Sequence, residues 1–323
     1  MIISNLGGEM RIFGLIVVTF MLIGSMGLLV LGYLNALHPL LDSISHFRVH
    51  FIGVSVILSI LLLLLHRSKI RYIYLLLSMG LIGLYYYIAT EGTIYKPVGN
   101  ANTLTHMQYN MNFRNTHLAD VLAVLKAQKP DIITLQEVTK SHQEKLETLK
   151  TEYPYQRYCA FYPVVGGVAI LSRYPFSQNE KVCVEGKGLL ISEIQLKEMT
   201  LTVASLHLHW PYPYGQYQQI ESLKPYLKAI RPPALISGDF NAAPWSHSVQ
   251  NIAHYSHTNV VKGLRWSIEL SHQLPLIPYM KLPIDQLLLS KEIHIKNIQV
   301  FPHLGSDHYP IYSTIGFVDG GLR

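Results

Sequence analysis

Charge is scarce in this chain. Only 14% of its 323 residues are Asp, Glu, Lys or Arg, against about 25% in an ordinary soluble domain. Such a deficit argues for membrane segments. Cysteine is scarcer: Cys159 and Cys183 are the only two, and their spacing fits neither a zinc knuckle nor a CxxC redox motif. The absence of a Cys/His cluster at ligand spacing argues against zinc. Two semi-buried thiols are expected, with a single disulfide as the alternative, open only to a domain outside the cytoplasm. There is no basic run long enough to form a nucleic-acid tail, and no internal repeat or low-complexity segment follows residue 94. The formal charge of +6 suits an anionic partner without choosing among phosphate, nucleic acid and lipid head groups.

What the chain does have is three long apolar runs, all near the N-terminus. Residues 12–34 carry no charged side chain, and residues 49–65 and 72–89 repeat the pattern. About 20 apolar residues, with about 17 as the lower limit, cross a hydrocarbon core as a helix, so three transmembrane helices are expected in a membrane anchor over residues 1–91. The first run is longer than a signal-peptide core, and no small-x-small cleavage site follows it. Tyr85, Tyr86 and Tyr87 read either as an interfacial aromatic belt or as buried aromatics. Arg67, Lys69 and Arg71 crowd the short loop between the second and third runs. The positive-inside tendency places that loop in the cytoplasm and residues beyond the third run outside it, at the expense of an exported Arg48.

After Ile94 the character changes. Residues 92–103 read as a linker, and 104–323 as one catalytic domain. Strands are expected at 104–110, 131–136, 167–172, 188–196, 199–206, 234–237, 284–289 and 309–315. Helices are expected at 116–127, where Leu118, Val121, Leu122 and Leu125 share a face, and at 139–150 and 215–229. Irregular alternation of strand and helix argues for mixed sheets covered by helices.

Polar residues gather at the ends of these apolar strands: Asn110 in MQYNMN, Glu137 in ITLQEV, His207 in SLHLHWP, Asp239 and Asn241 in ISGDFNAAP, and Asp307 with His308 in LGSDHYP. Asp285 in LPIDQLLLS belongs with them. Taken singly, Asn110 reads as a turn residue, and Glu137 is as consistent with a salt bridge as with a metal. Together they supply oxygen ligands for a hard cation, a base and an acid, on elements rigid enough to hold them. Phosphate ester hydrolysis needs that combination.

The order N…QE…H…GDFN…D…SDH resembles the endonuclease/exonuclease/phosphatase superfamily, which includes pancreatic deoxyribonuclease, apurinic-site endonucleases, neutral sphingomyelinases, inositol polyphosphate 5-phosphatases and deadenylases. GVAILSRYP at 167–175 is similar to the family as well, and HLHWP is similar to deadenylases. The resemblance spans residues 104–317. It implies an α/β (α+β) chain, a four-layer αββα sandwich of two mixed sheets behind the three transmembrane helices. It implies Mg2+, with Mn2+ as a substitute, held by Asn110 and Glu137 with Asp307 nearby. Asp239 would orient or deprotonate the attacking water, Asn241 would hold the phosphate, and His308 would balance developing charge with its ring fixed by Asp285. His207 would stand on the leaving-group side. Many relatives carry an Arg just beyond the His207 motif. Here that stretch reads PYPYGQYQQ, so that one phosphate contact is either missing or supplied elsewhere, with Arg173 and Lys187 as the candidates.

The resulting expectation is a membrane-tethered, magnesium-dependent phosphodiesterase or nuclease. A phosphomonoesterase or lipid head-group phosphodiesterase is the alternative within hydrolases, and a catalytically silent membrane-bound binding domain the alternative outside them. Nucleic acid, a lipid head group or a small phosphate ester is the expected partner, together with the bilayer itself; no protein partner is implied. Trp210, Tyr212, Tyr214 and Tyr217 form an aromatic stretch that could stack on bases, rest on a bilayer or pack on the domain.

Overall fold

A computed structural model describes residues 2–66, 68–90, 103–162, 165–197, 199–270 and 280–317. Two compact units emerge, Met1–Glu91 and Gly92–Arg323. The expected linker falls almost wholly outside the described residues, as does Arg67, and Thr103 already belongs to the first strand.

The N-terminal unit has four helices: α1 (Ile2–Tyr33), α2 (Pro39–Ser45), α3 (Arg48–Leu65) and α4 (Arg71–Thr90). Three of them, over Glu9–Tyr33, Arg48–Leu65 and Arg71–Thr90, are long and apolar enough to cross a membrane. α3 runs back along α1: Arg11 donates from Nε to the Leu65 carbonyl (3.1 Å), and Arg48 donates to the Gly32 carbonyl (3.2 Å) at the other end. Leu22, Leu58 and Leu62 pack with Tyr74 and Leu77 towards one end. Leu29, Ile52 and Leu81 pack with Leu84 and Ile88 towards the other. Arg11 therefore shares an end with the start of α4, while Thr90 leaves at the end of Arg48. Arg48 is buried against the Tyr33 ring, 3.9 Å from its centroid. It caps the carbonyl end of α1, where a cation is favoured, so its charge has a local structural use.

The second unit is built from two six-stranded mixed sheets. The first has the order β13-β14-β1-β2-β4-β3, with β1 (Thr103–Asn110), β2 (Ile132–Val138), β3 (Tyr155–Tyr162), β4 (Gly166–Ser172), β13 (Ile293–Val300) and β14 (Ile311–Phe317). The second has the order β5-β6-β7-β8-β12-β9, with β5 (Phe176–Val184), β6 (Leu189–Gln195), β7 (Thr200–His207), β8 (Ala234–Asp239), β9 (Asn259–Val260) and β12 (Asp285–Leu289). A two-stranded ribbon, β10 (Ile268–Glu269) with β11 (Lys281–Leu282), stands beside them. Helices α5 (Leu118–Gln128), α6 (Lys140–Leu146), α7 (Gln216–Lys228) and α8 (His247–Tyr255) complete the unit. β3, β5, β9, β10, β11, β13 and α8 have no counterpart among the sequence-based expectations; β9, β10 and β11 are two residues each, and the mixed composition of β3 and β5 hides the apolar period.

Three cores make the four layers visible. Val121 and Leu125 of α5 and Leu146 of α6 pack on Met107, Tyr109, Ile133 and Leu135. Leu223 and Leu227 of α7 and Val249 and Ile252 of α8 pack on Leu206, Ala204 and Ile236. Between the sheets lie Leu104, Ile132, Leu201, Val203, Leu235, Leu287 and Leu289. A strand alternates its faces with period two, so one face of each central strand meets helices and the other meets the opposing sheet.

Within each sheet one neighbouring pair is parallel, β1 with β2 and β7 with β8. α5 connects the first pair and α7 the second, giving two βαβ units. A crossover helix makes the second strand run the same way as the first, so the carboxyl ends of each pair lie side by side.

The cysteines correct the expectation of two thiols. Cys159 of β3 and Cys183 of β5 form a disulfide with Cα atoms 5.4 Å apart, inside the usual range for such a bridge. It ties an edge strand of one sheet to an edge strand of the other.

Candidate active site

Followed along a strand, the layer between the sheets is graded. β1 presents Leu104, then His106, Gln108 and Asn110. β8 presents Leu235, Ser237 and Asp239. β7 presents Leu201, Val203, Ser205 and His207. The middle of this layer is polar, buried and paired. The Thr134 and Ser237 hydroxyls lie 2.7 Å apart, with His106 Nε2 at 3.0 and 3.1 Å from them. Gln136 donates to Ser205 Oγ (3.0 Å). The far end is ionisable, and there the expected site residues meet.

Asn110, Glu137, His207 and Asp239 come from the carboxyl ends of the four parallel strands. Asp285 is the first residue of β12 rather than the end of a strand. It sits level with Asp239 because β12 is antiparallel to β8 with those two residues in register. Asp307 and His308 lie in the loop before β14, also not at a strand end. The N–H of Tyr309 donates to Ser267 O (2.8 Å) and that of Glu269 to Asp307 O (3.0 Å), which hold this loop.

Glu137 reaches the cluster through a local irregularity. Ile133 and Leu135 face the helices, and strict alternation would send residue 137 after them. The pairing of β2 with β4 slips between Leu135 and Val138, and Glu137 has φ +57°. A bulge of this kind re-aims a side chain, and a non-glycine residue in the left-handed region is strain of the sort stored at functional sites. Glu137 Oε2 accepts from the Phe113 N–H (2.9 Å) and Oε1 from Asn110 Nδ2 (3.0 Å). The same Asn110 amide donates to Asp239 Oδ2 (2.9 Å), bridging two carboxyl groups that would otherwise repel. Its oxygen accepts from the Asn112 N–H (2.9 Å).

His308 is the centre of the charge pattern. Its Nδ1 lies 2.8 Å from Asp285 Oδ2, and its Nε2 3.6 Å from Asp239 Oδ2. Burial by itself would lower its pKa, but Asp285 and Asp239 outweigh that and raise it to about 10. Asp239 moves up to about 7, chiefly through burial and against the pull of His308. Burial also raises Glu137, opposed by its bonds to Phe113 and Asn110. His207 Nε2 stands 3.6 Å from Asp239 Oδ2 and 3.9 Å from Glu137 Oε1. Burial, then repulsion by His308 and His209, lowers it to about 3, so it is neutral at physiological pH.

Two residues have engagements of their own. Asp307 Oδ1 accepts from Asn112 Nδ2 (2.7 Å). Asn241, with φ +46°, gives its backbone N–H to Asp239 Oδ1 (2.8 Å) and its side-chain amide to the Leu208 carbonyl (2.8 Å), locking the GDFN turn. Sequence reasoning missed Gln108. Its amide donates to Asp285 Oδ1 (2.7 Å) and Gln136 Oε1 (2.8 Å), and its place two residues before Asn110 on the same strand face was the available signal.

The two candidate cations separate. Arg173 follows β4 and lies 3.4 Å from Asp131. Asp131 precedes β2, whereas Glu137 lies at that strand's other end. The expectation that Arg173 contacts the phosphate is therefore corrected. Lys187 acts on His209, whose pKa its charge helps burial to lower, and its carbonyl accepts from Gln219 Nε2 (2.9 Å).

Glu137, His207 and Asp239 offer ligand atoms all within 4.8 Å of one another, as do Asp239, Asp285 and His308. The first group, with the buried carboxyl group of Asp239 and the half-buried one of Glu137, suits a hard divalent cation. Asp307 is in neither group.

Two βαβ units with acids and imidazoles gathered at their strand ends, between face-to-face sheets, define a phosphoesterase architecture. The sequence profile of the endonuclease/exonuclease/phosphatase family matches residues 107–308, and the chain belongs to that family, whose members are hydrolases acting on phosphate esters. No curated protein sequence matches it. Among solved structures, the endonuclease/exonuclease/phosphatase protein of Bacteroides vulgatus aligns with a TM-score of 0.55 at 15% identity, covering 67% of this chain and 99% of that one. TDP2 of D. rerio, complexed with a single-strand DNA product, aligns with a TM-score of 0.54 at 19% identity, covering 66% and 99%. The counterpart from Beutenbergia cavernae gives 0.52 at 17%, covering 67% and 72%. At these identities the likeness is one of fold.

Proposed function

We propose that this protein is a membrane-tethered, magnesium-dependent hydrolase of phosphodiester bonds. The observation that carries the reading is the convergence of Glu137, Asp239, His207 and the Asp285–His308 pair from separate strands and one loop onto one point.

Glu137 is the principal metal ligand, with Asn110 beside it and Asp307 close behind; Mn2+ is the natural substitute for Mg2+. A bound ion neutralises charge on the phosphoryl oxygens. Asp239 orients the attacking water and is the candidate base. Asn241 holds Asp239 Oδ1 through its backbone and is assigned the phosphate by resemblance. His308, kept cationic by two carboxylates, balances charge developing on the phosphoryl group, and Asp285 fixes its ring. His207, neutral and buried, faces the leaving-group side. Lys187 takes the place of the cation missing from PYPYGQYQQ.

The catalytic unit is proposed to lie outside the cytoplasm. Arg11, Lys69 and Arg71 gather at the end of the helical unit opposite Thr90, which suits a cytoplasmic basic end. The Cys159–Cys183 bridge suits an oxidising compartment.

A substrate panel tests the activity. The full chain in detergent should hydrolyse bis(4-nitrophenyl) phosphate with magnesium and lose that activity to a chelator, with 4-nitrophenyl phosphate a poorer substrate. Magnesium binding without hydrolysis of either ester, or of sphingomyelin or DNA, would favour a catalytically silent binding domain.

A further inference from the structure

Large apolar or aromatic side chains exposed on the described part of the catalytic unit number seven, and four fall within residues 210–217: Trp210 (43% exposed), Tyr212 (48%), Tyr214 (70%) and Tyr217 (49%). The other three, Tyr155, Tyr226 and Val300, are scattered. Single exposed apolar residues need no explanation, whereas a concentration marks an interaction surface.

The loop follows His207, Leu208 and His209 directly and ends in the first turn of α7, so it stands at the end of the sandwich that holds the cluster. Both of its roots are pinned. Gln216 Nε2 donates to the carbonyls of His209 (2.8 Å) and Phe240 (3.0 Å). Gln219 Oε1 accepts from the His209 N–H (2.6 Å), and its Nε2 donates to the His207 carbonyl (3.0 Å). Both glutamines are buried. The Tyr214 N–H donates to the Pro211 carbonyl (3.0 Å), closing a turn at the tip. The aromatics are thus presented outward from a fixed base.

We propose that this loop is a lipid-docking surface that rests the active-site end of the catalytic unit in a bilayer interface, so that the phosphate ester it takes is a lipid head group. The proposal rests on the phosphodiesterase reading above for its substrate, though not for the docking itself. Three observations select the bilayer. Trp and Tyr, with an apolar body and a polar tip, are the side chains favoured at the lipid–water interface. Residues 199–220 include no Asp, Glu, Lys or Arg. A strand of nucleic acid is held by aromatics set among cations that follow its phosphates, and the loop contributes none of these from its own residues, whereas a neutral loop enters a zwitterionic interface without desolvating a charge. Finally, only residues 91–102 join Thr90, at the end of the third candidate span, to Thr103. A dozen residues reach no further than roughly 43 Å, which keeps the catalytic unit within range of the bilayer holding the helices.

The test uses the full chain reconstituted in phosphatidylcholine bilayers, with and without bromine on the acyl chains. Brominated lipid should quench tryptophan fluorescence in the native protein and lose most of that effect in Trp210→Phe. Burial of an exposed aromatic in the interface is favourable, so the triple variant Trp210→Ser/Tyr214→Ser/Tyr217→Ser should lose at least about tenfold in hydrolysis of sphingomyelin in the bilayer. Its hydrolysis of soluble bis(4-nitrophenyl) phosphate should be unchanged. Quenching that is absent in the native protein, or unaltered by Trp210→Phe, overturns the docking. A triple variant that keeps its lipid activity but loses single-stranded oligonucleotide binding overturns it in favour of base stacking. A native protein inert towards the soluble diester sinks the phosphodiesterase reading instead, while the quenching still decides the docking.

Discussion

Asp239 and Asp285 are register partners on neighbouring antiparallel strands, and their carboxyl groups address opposite nitrogens of one imidazole, that of His308, at 3.6 and 2.8 Å. Two acids so close can coexist in a buried place because a cation stands between them. The same arrangement gives His308 a fixed ring and a lasting positive charge.

Removing either end of that arrangement should be felt in turnover. Asp239→Asn and His308→Ala are each expected to lower kcat by at least about 10²-fold, the usual size of one acid–base or charge-stabilising group, with KM changing less. Steady-state kinetics on bis(4-nitrophenyl) phosphate measures this. Near-native turnover in both variants would remove the cluster from consideration as the active site.

Glu137 should report on the metal independently of catalysis. A ligand that binds only the folded state stabilises it by RT ln(1 + [L]/Kd). Magnesium should therefore raise the Tm of the native protein in detergent and shift Glu137→Gln far less at the same concentration. High magnesium should restore part of the variant's activity. Equal thermal shifts in the two proteins would mean that Glu137 is not a ligand.

The bulge that aims Glu137 depends on a glycine across the sheet. A Cβ on Gly166, whose φ is +85°, would lie 2.6 Å from both the carbonyl carbon and the oxygen of Val138. Gly166→Ala should destabilise the catalytic unit by about 1–3 kcal/mol from backbone strain alone, and should weaken the magnesium response as Glu137 shifts. Thermal unfolding with and without the ion reads both effects, and an unchanged Tm would contradict the packing described.

His106 gives a pH signature from outside the cluster of acids and imidazoles. Burial between the sheets lowers its pKa from 6.5 to about 3. Between those values the unfolded chain binds a proton that the folded chain refuses. Its contribution therefore makes stability fall as pH drops from 6.5 towards 3, at up to about 1.4 kcal/mol per pH unit. His207, lowered to about 3, acts in the same direction, and Asp239, raised to about 7, acts in the opposite one. The native slope is thus a net value. His106→Gln should remove one proton's worth of it in metal-free protein, as read by unfolding at pH 6, 5 and 4. Parallel pH profiles for the two proteins would show that His106 is not the source.

Orientation can be checked at both ends of the claim. An export-dependent reporter fused after Arg323 should be active, and Cys159 and Cys183 should resist alkylation in intact cells until a reductant is added. A cytoplasm-only reporter that lights up at the same position would reverse the topology.

Sequence alone determined that apolar runs long enough to cross a bilayer precede a mixed sheet-and-helix region, because length and hydropathy are local properties of the chain. It also singled out Asn110, Glu137, His207 and Asp239 as candidates, since they interrupt or end apolar strands where a buried polar group needs a purpose. Tertiary structure decided the rest, because each remaining feature depends on what lies across a sheet or between sheets. Cys159 and Cys183 pair only because β3 and β5, mixed strands without a clear apolar period, form matching edges of the two sheets. Arg173 sits in a family-like segment, yet the antiparallel run of β4 carries it to the end of the sheet away from Glu137. Glu137 itself would face the helices by simple alternation, and one slipped residue against β4, accommodated by Gly166, turns it to the site. No local pattern encodes that slip, because its cause is the close approach of a neighbouring strand.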